Sequence, residues 1–350
     1  MQKRRQFIGS ALGISATMIF PNNVFGNSNF VFEDERIFPA RLRKGDVVGL
    51  IAPGYAINEE VLEEAKTTLM AMGLIPYHTE RILSKHGYFS NTDAERAKDV
   101  NHMFANPDVG GILCARGGYG CTRIMHMLDY ENIKKNPKVL IGFSDITALL
   151  NGIFKETGLI TFHGPVGSTL NDPYSIEQLQ SVVMYPKDQL LIQNAKIENQ
   201  RLKKNPEYER YVITPGIGEG KLLGGSLTLI NTLIGTPHEI DFTNALVCIE
   251  DVEEAPYRID RMLTQLLAGR SFSKAAGILF GVSAGCNSST NPNSFSLKEV
   301  IMDRIGPLKI PSVYGMSFGH VAQNLTFPIG VKARLNTEDM TLQLLERPLE

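Results

Sequence analysis

The sequence predicts a two-domain α/β protein. The first domain is an N-terminal parallel-sheet unit of Rossmann/flavodoxin-like type; the second is a smaller C-terminal α/β domain of swivelling type. Three observations carry this expectation. The first half alternates short apolar runs with amphipathic helical stretches. Those runs are almost continuously apolar, as in strands buried on both faces of a parallel sheet. A polar, proline-broken stretch over 171–215 (KIENQRLKKNPEYERY lies within it) then separates this half from a second half that resumes the pattern. A chain of 350 residues has room for two such units. The expected division is 35–170, a crossover over 171–215, and 216–345.

The elements follow in order. Asp46 to Ala52 is a β-rich run closed by Pro53-Gly54, and Asn58 to Met72 has helical spacing that stops at Gly73. Asp93 to Phe104 is a helix whose Asp93-Ala94-Glu95-Arg96 start suits a polar first turn. Val109 to Ala115 is a strand leading into Arg116-Gly117-Gly118-Tyr119-Gly120. Val139 to Phe143 is another, followed at once by a helix from Asp145 to Lys155; Leu159 to Phe162 runs into His163-Gly164-Pro165. In the second half Gly224-Gly225-Ser226 is expected to open a helix to Ile234. Ala245 to Glu250, Ala276 to Phe280 and Val313 to Ser317 are strands; Pro256 to Ala268 and Leu297 to Ile305 are helices. In open α/β sheets ligands bind outside the carboxyl ends of strands, so those junctions are where function is sought.

Residues 1–26 read as an address rather than as fold. Lys3, Arg4 and Arg5 precede an apolar run from Phe7 to Phe20, and Val24-Phe25-Gly26 offers compact residues for cleavage. Arg4-Arg5-Gln6-Phe7-Ile8 is similar to the core of a twin-arginine signal, which predicts export, to the periplasm, with no membrane anchor after signal removal. Net charge is −2 and no basic block follows the first few residues, which argues against a nucleic-acid partner. Tryptophan is absent and only 8% of residues are aromatic, which argues against stacking sites for bases or sugars. The four cysteines, Cys114, Cys121, Cys248 and Cys286, form no C-x-x-C pair and no zinc-ligand spacing with histidine, so no metal or other cofactor is expected. A Cys114–Cys121 bridge is open to an exported protein, but buried free thiols are the expectation, because Cys114 ends an apolar strand.

Gly142-Phe143-Ser144-Asp145 is the sharpest chemical candidate. A strand stops, a serine follows, and a helix begins at once. Such a serine projects its hydroxyl from the sheet, and the helix N–H groups behind it, notably that of Asp145, can hold an oxyanion. On local sequence alone Ser144 reads more readily as only the N-cap of the Asp145–Lys155 helix. The G-x-S-x-G signature is not met, since Ile146 occupies its last position. A nucleophilic serine needs a base and an orienting acid. Of the 7 histidines, His163 and His320 follow predicted strands and either suits the base; Glu250 ends the strand Ala245–Glu250 and suits the acid. The Gly117-Gly118 turn either donates an N–H to the oxyanion or merely needs positive φ.

Taken together these motifs resemble the LD-carboxypeptidase family, peptidase family S66. The resemblance rests on Asp93-Ala94-Glu95-Arg96, Arg116-Gly117-Gly118-Tyr119-Gly120, Ile141-Gly142-Phe143-Ser144-Asp145-Ile146-Thr147 and Phe162-His163-Gly164-Pro165. It continues, in order, through Gly224-Gly225, Gly235-Thr236-Pro237, Ile249-Glu250-Asp251 and Gly319-His320. It implies a Ser–Glu–His triad: Ser144 as nucleophile, His320 as base and then acid, Glu250 orienting His320. It also implies a site in an interdomain cleft that closure assembles, with Asp145 and either Gly117 or Gly118 supplying the oxyanion N–H groups. The implied substrate is a muropeptide, the peptidoglycan tetrapeptide, whose terminal D-alanine is removed from a diamino acid without a metal. A free carboxylate and a zwitterionic side chain call for arginine; Arg116, Arg258 and Arg261 are the candidates, and each could be a surface ion-pair partner instead. A homodimer is implied as well.

The chain departs from the family pattern at Ser226, where asparagine is common, and at Gly281-Val282-Ser283-Ala284-Gly285-Cys286. Two other readings compete. One is the microcin-immunity branch of the same family, which hydrolyses aminoacyl or peptidyl nucleotides and needs a platform for a base. The other is an exported ligand-binding protein without chemistry, in which Ser144, Glu250 and His320 do not converge.

Overall fold

Val47–Ile51 (β1) and Val139–Gly142 (β4) carry apolar side chains on both faces, and almost all of them are buried. Such strands cannot leave one face wet, so they lie inside a sheet with helices on both sides. The computed structural model describes residues 35–197, 205–287 and 291–350. The export signal expected over 1–26 lies outside the described residues.

The first sheet has six strands. Besides β1 and β4 it contains Ile75–Tyr77 (β2), Val109–Cys114 (β3), Thr161–His163 (β5) and Phe327–Ile329 (β12), in the order β12-β5-β4-β3-β1-β2. All neighbours are parallel except β12, which returns from the far end of the chain and pairs antiparallel with β5. Helices Glu59–Ala71 (α1), Asp93–Ala105 (α2), Cys121–Ile124 (α3), Tyr130–Lys135 (α4), Thr147–Thr157 (α5) and Pro173–Val183 (α6) belong to this half. Their starts are written in sequence. Asn58 accepts from the N–H of Val61, Thr92 from that of Glu95, and Asp172 from those of Tyr174 and Ser175.

The second sheet has eight strands. Its centre is parallel: Ile217–Ser226 (β8), Ala245–Glu250 (β9), Gly277–Gly281 (β10) and Ser312–Met316 (β11). Lys332–Asn336 (β13) and Thr341–Leu344 (β14) add antiparallel strands beside β8. Leu191–Ile192 (β6) and Tyr211–Thr214 (β7) form the two edges. Leu227–Leu233 (α7), Pro256–Ala268 (α8) and Leu297–Ile305 (α9) complete the half.

Two expectations gain detail here. Residues 171–215 are not bare crossover: the Asp172-Pro173 start launches α6, and β6 and β7 close opposite edges of the second sheet. Gly224-Gly225-Ser226 ends β8, a ten-residue strand whose glycines let it pack closely on its neighbours, and leads straight into the expected helix, α7, with Ser226 at its N-cap. A Cβ at Gly220 would lie 2.3 Å from the carbonyl of Asn244. Tertiary pairing therefore overrides the weak strand propensity of this glycine-rich run.

Helix α5 locks the two sheets together. Thr147 and Asn151, four residues apart, share one helical face. Asn151 exchanges hydrogen bonds with the backbone of Gly224 (2.9 and 3.1 Å), and the Thr147 hydroxyl accepts from the N–H of Ser226 at 3.0 Å. The helix that follows Ser144 is thereby anchored to the strand that lies beside β9, whose last residue is Glu250.

Candidate active site

Ser144 sits where β4 gives way to a short 3-10 turn, Ser144–Ile146, that continues as α5. Phe143 is extended, and Ser144 then adopts φ 63. A non-glycine residue in that left-handed region costs roughly 1–2 kcal/mol, and such outliers concentrate at functional sites. The strain is not spent on capping: no side chain caps this turn. The hydroxyl instead meets His320, with Nε2 3.0 Å from Oγ. The N-cap alternative is therefore replaced by a side chain aimed out of the sheet.

His320 lies in the loop after β11 and is held from its other nitrogen. Nδ1 is 2.7 Å from Oε2 of Glu250. The carboxylate can only accept, so it fixes the proton on Nδ1 and leaves Nε2 free to accept from Ser144. Glu250 is fully buried, whereas 23% of the His320 side chain remains exposed, so solvent and substrate reach the imidazole but not the acid. Gly319, at φ 102, makes this approach feasible, because a Cβ there would lie 2.5 Å from Oε2 of Glu250. The Asn324 side chain accepts from the Gly319 N–H at 3.1 Å and fixes the turn.

The electrostatics match this arrangement. Burial opposes the imidazolium, but the adjacent Glu250 carboxylate, with Asp251 and Glu253 further away, outweighs it and holds His320 above its ordinary pKa. Burial likewise opposes ionisation of Glu250, yet the charge and hydrogen bond of His320 hold it below its ordinary value. Asp251 points elsewhere. It accepts from the N–H and hydroxyl of Thr228 (2.8 and 2.9 Å), and burial, reinforced by Glu250, raises it to about 6.

The glycine turn borders the serine. A Cβ at Gly117 would lie 3.0 Å from Cβ and 3.3 Å from Oγ of Ser144. Gly118 instead faces the Tyr55 ring, whose Cγ would be 2.3 Å from an added Cβ. Of the two glycines, Gly117 is the one beside the hydroxyl. Asp145 follows Ser144 in the first turn, where backbone N–H groups have no helical acceptor. Its buried carboxylate accepts from the Cys121 N–H at 2.8 Å, tying the serine turn to α3. Burial raises the Asp145 pKa, with the donors of Cys121 and Gly120 and the charge of Arg96 pulling the other way.

The three arginine candidates separate. Arg116 is exposed, adjoins Gly117 in sequence, and lies 5.7 Å over the Tyr55 ring. Arg258 and Arg261 are exposed on α8 and flank the Tyr257 ring, and Arg258 also pairs with Glu254 at 3.3 Å. Tyr257, with Glu253, Asp260 and Phe295, lines a cavity of ≈ 710 Å³. A second cavity, of ≈ 240 Å³, is lined by Lys196, Tyr208, Ser317, Val321 and Gln323, next to His320 in the chain.

His163, the other candidate base, makes no hydrogen bond with Ser144. It is fully buried and stacked on Phe327 at 4.5 Å. The four cysteines are free and buried, and burial raises each thiol. One feature escaped the sequence. Tyr55, Tyr88, Phe89 and Tyr119 gather around the glycine turn, with ring centroids 4.4–6.1 Å apart in the pairs Tyr55–Tyr88, Tyr88–Phe89, Tyr88–Tyr119 and Phe89–Tyr119. They come from three separate segments, so the low aromatic content hid a local concentration.

Known proteins similar to this chain identify its family. Models of the LD-carboxypeptidase N-terminal and C-terminal domains match residues 48–164 and 219–335. A probable murein peptide carboxypeptidase of Bacillus subtilis is 37% identical over 87% of this chain and 92% of its own length. The murein tetrapeptide carboxypeptidase of Pseudomonas aeruginosa is 31% identical, covering 82% of this chain and 92% of its own. A crystal structure of an MccF-like protein from Bacillus anthracis superimposes with TM-score 0.78 at 25% identity, over 89% of this chain and 99% of the other. With both domain models matched in order and relatives of this similarity along most of its length, the chain belongs to the LD-carboxypeptidase family, peptidase family S66, and is a serine-type enzyme of that family.

Proposed function

We propose that the protein hydrolyses the L,D amide bond between the diamino acid and the terminal D-alanine of peptidoglycan tetrapeptides, leaving a tripeptide. The observation that carries this reading is the hydrogen-bonded chain from Ser144 Oγ through His320 to Glu250, at 3.0 and 2.7 Å. His320 Nε2 takes the Ser144 proton as Oγ attacks the scissile carbonyl, and Glu250 stabilises the resulting imidazolium. The N–H groups of Asp145 and Gly117 receive the oxyanion. Collapse of the tetrahedral intermediate breaks the C–N bond, and His320 returns the proton to the departing D-alanine nitrogen. Water, deprotonated by His320, then hydrolyses the Ser144 ester. The site forms without further domain closure, because its three side chains already meet. Arg116, beside the turn, is the arginine best placed for a substrate carboxylate.

A second reading, hydrolysis of a peptidyl or aminoacyl nucleotide, draws on one observation. The Tyr55–Tyr88–Tyr119 group offers the stacking surface that a base needs. Incubating the purified protein with tetrapeptide, pentapeptide and peptidyl-nucleotide substrates, followed by mass analysis, separates the two. Loss of one alanine from the tetrapeptide alone supports the first reading, and cleavage of the nucleotide conjugate alone replaces it. Export through the Arg4-Arg5 leader belongs to the proposal too; fusion of residues 1–30 to a reporter tests it, and retention in the cytoplasm would cancel it.

A further inference from the structure

Around Glu250 lies a group of buried polar atoms that the mechanism above does not use. Among the described residues, Oε1 of Glu250, both ring nitrogens of His163, Nδ2 of Asn324 and Oγ1 of Thr326 have no hydrogen-bond partner. They belong to one neighbourhood. His163 ends β5 and pairs in register with Phe327, one residue from Thr326. A Cβ at Gly164 would lie 2.7 Å from Oγ1 of Thr326. Asn324 holds the Gly319 N–H, and Gly319 adjoins the Glu250 carboxylate. Gly225, beside the end of β9, approaches the His163 ring, with an added Cβ 3.2 Å from Cδ2.

The His163 ring is also clamped by aromatics that belong to the site. Phe143, the residue before Ser144, is 6.0 Å away, and Phe318, two before His320, is 6.0 Å away. Phe143 in turn packs on His320 at 4.9 Å. The charged groups that act on the His163 ring are Glu250, which favours its cation, and His320, which opposes it. Thr326, Asn324 and the phenylalanines are neutral. Burial is the largest influence and lowers His163 to about 4, so the ring is neutral at neutral pH and carries one N–H.

We propose that His163 is a positioning residue for this reaction: its neutral imidazole donates to the inner oxygen of Glu250 across one ordered water, and so sets how strongly Glu250 holds a proton on His320. A buried carboxylate with one bare oxygen is costly, and a buried imidazole with two bare nitrogens is costly too. Each supplies what the other lacks. The inference rests on the proposed Ser144–His320–Glu250 mechanism and deepens it.

The sign of the effect is fixed by linkage. Removing a donor from an anion raises the proton affinity of the pair that contains it. His163→Phe keeps the ring stack and removes the N–H. It should move the His320 titration upward by about one pH unit, as expected for loss of a hydrogen bond to a charged group. His163→Gln keeps a donor and should restore the wild-type value. The imidazole signals of His320 are to be followed by NMR across pH in wild type, H163F and H163Q, alongside the pH profile of kcat/KM for D-alanine release. An upward shift of both in H163F that H163Q reverses supports the proposal. If H163F titrates as wild type does, the proposal is overturned. Should H163F not fold, His163→Met carries the same comparison. The NMR titration needs no substrate, so a wild-type protein that releases no D-alanine would count against the proposed function while leaving this measurement decisive for His163.

Discussion

Gly117 stands against Ser144 so closely that a single added carbon would lie 3.0 Å from the serine Cβ and 3.3 Å from its hydroxyl. In the proposed mechanism this glycine bounds the space for the tetrahedral oxyanion. Gly117→Ala keeps the N–H but sets a methyl group against the serine, so the proposed donor is displaced; kcat should fall, at most by the roughly 10²–10³-fold that full loss of one oxyanion donor costs, while thermal unfolding stays close to wild type. Gly118→Ala should behave in the opposite sense. Its Cβ would enter the Tyr55 ring at φ 105, so destabilisation of roughly 1–3 kcal/mol is expected. Equal kinetic losses in the two variants, at unchanged stability, would contradict this assignment.

Backbone strain at Ser144 gives a stability prediction that is independent of turnover. At φ 63 glycine is relaxed and alanine is not. Ser144→Gly should unfold at higher denaturant than Ser144→Ala by about 1 kcal/mol, the left-handed penalty less the glycine entropy cost. Both variants should be inactive. Equal midpoints would show that the turn holds no such strain.

The pH profile follows from the shifts at His320 and Glu250. In the proposed mechanism the base, His320, must be neutral, and it is held above its ordinary 6.5, so the acidic limb of kcat/KM should lie above pH 6.5. Glu250→Gln removes the negative charge and should move that limb downward while lowering kcat. The imidazolium–carboxylate pair adds stability in the window between the lowered Glu250 pKa and the raised His320 pKa. That contribution is lost as pH rises through the His320 value or falls through the Glu250 value. A limb that moves upward in the Glu250→Gln variant would contradict the pairing.

Asp251 is predicted to be structural. Asp251→Ala leaves the Thr228 N–H and hydroxyl without their acceptor at the start of α7. A loss of roughly 1–3 kcal/mol in unfolding free energy is expected. Asp251→Asn, which keeps an acceptor, should lose less. Loss of activity in Asp251→Asn at unchanged stability would instead place Asp251 in the chemistry.

How much of this was legible in the sequence depended on how local the signal was. Ala245–Glu250, Pro256–Ala268 and Leu297–Ile305 are found at the residues expected. Each has a local marker: an unbroken apolar run, proline in the first turn, and the reciprocal Ser296–Glu299 capping box. β8 was missed because four glycines hide its pattern, and its pairing with β9 and β13 is decided elsewhere in the chain. β12 was missed because its partner β5 lies more than 150 residues away in sequence. The same limit applied to the histidines. His163 and His320 both follow strands, and only the register that buries one and exposes the other distinguishes them. The aromatic rim around Gly118 required three segments to meet, which no composition figure could show.

The most direct measurement is D-alanine release from a purified tetrapeptide muropeptide by wild type and by Ser144→Ala, each checked for intact fold. The account predicts that wild type produces tripeptide and free D-alanine in equal amounts and that Ser144→Ala produces neither. Turnover by the alanine variant at a rate comparable to wild type would remove the Ser144 hydroxyl from the reaction and contradict the account at its centre.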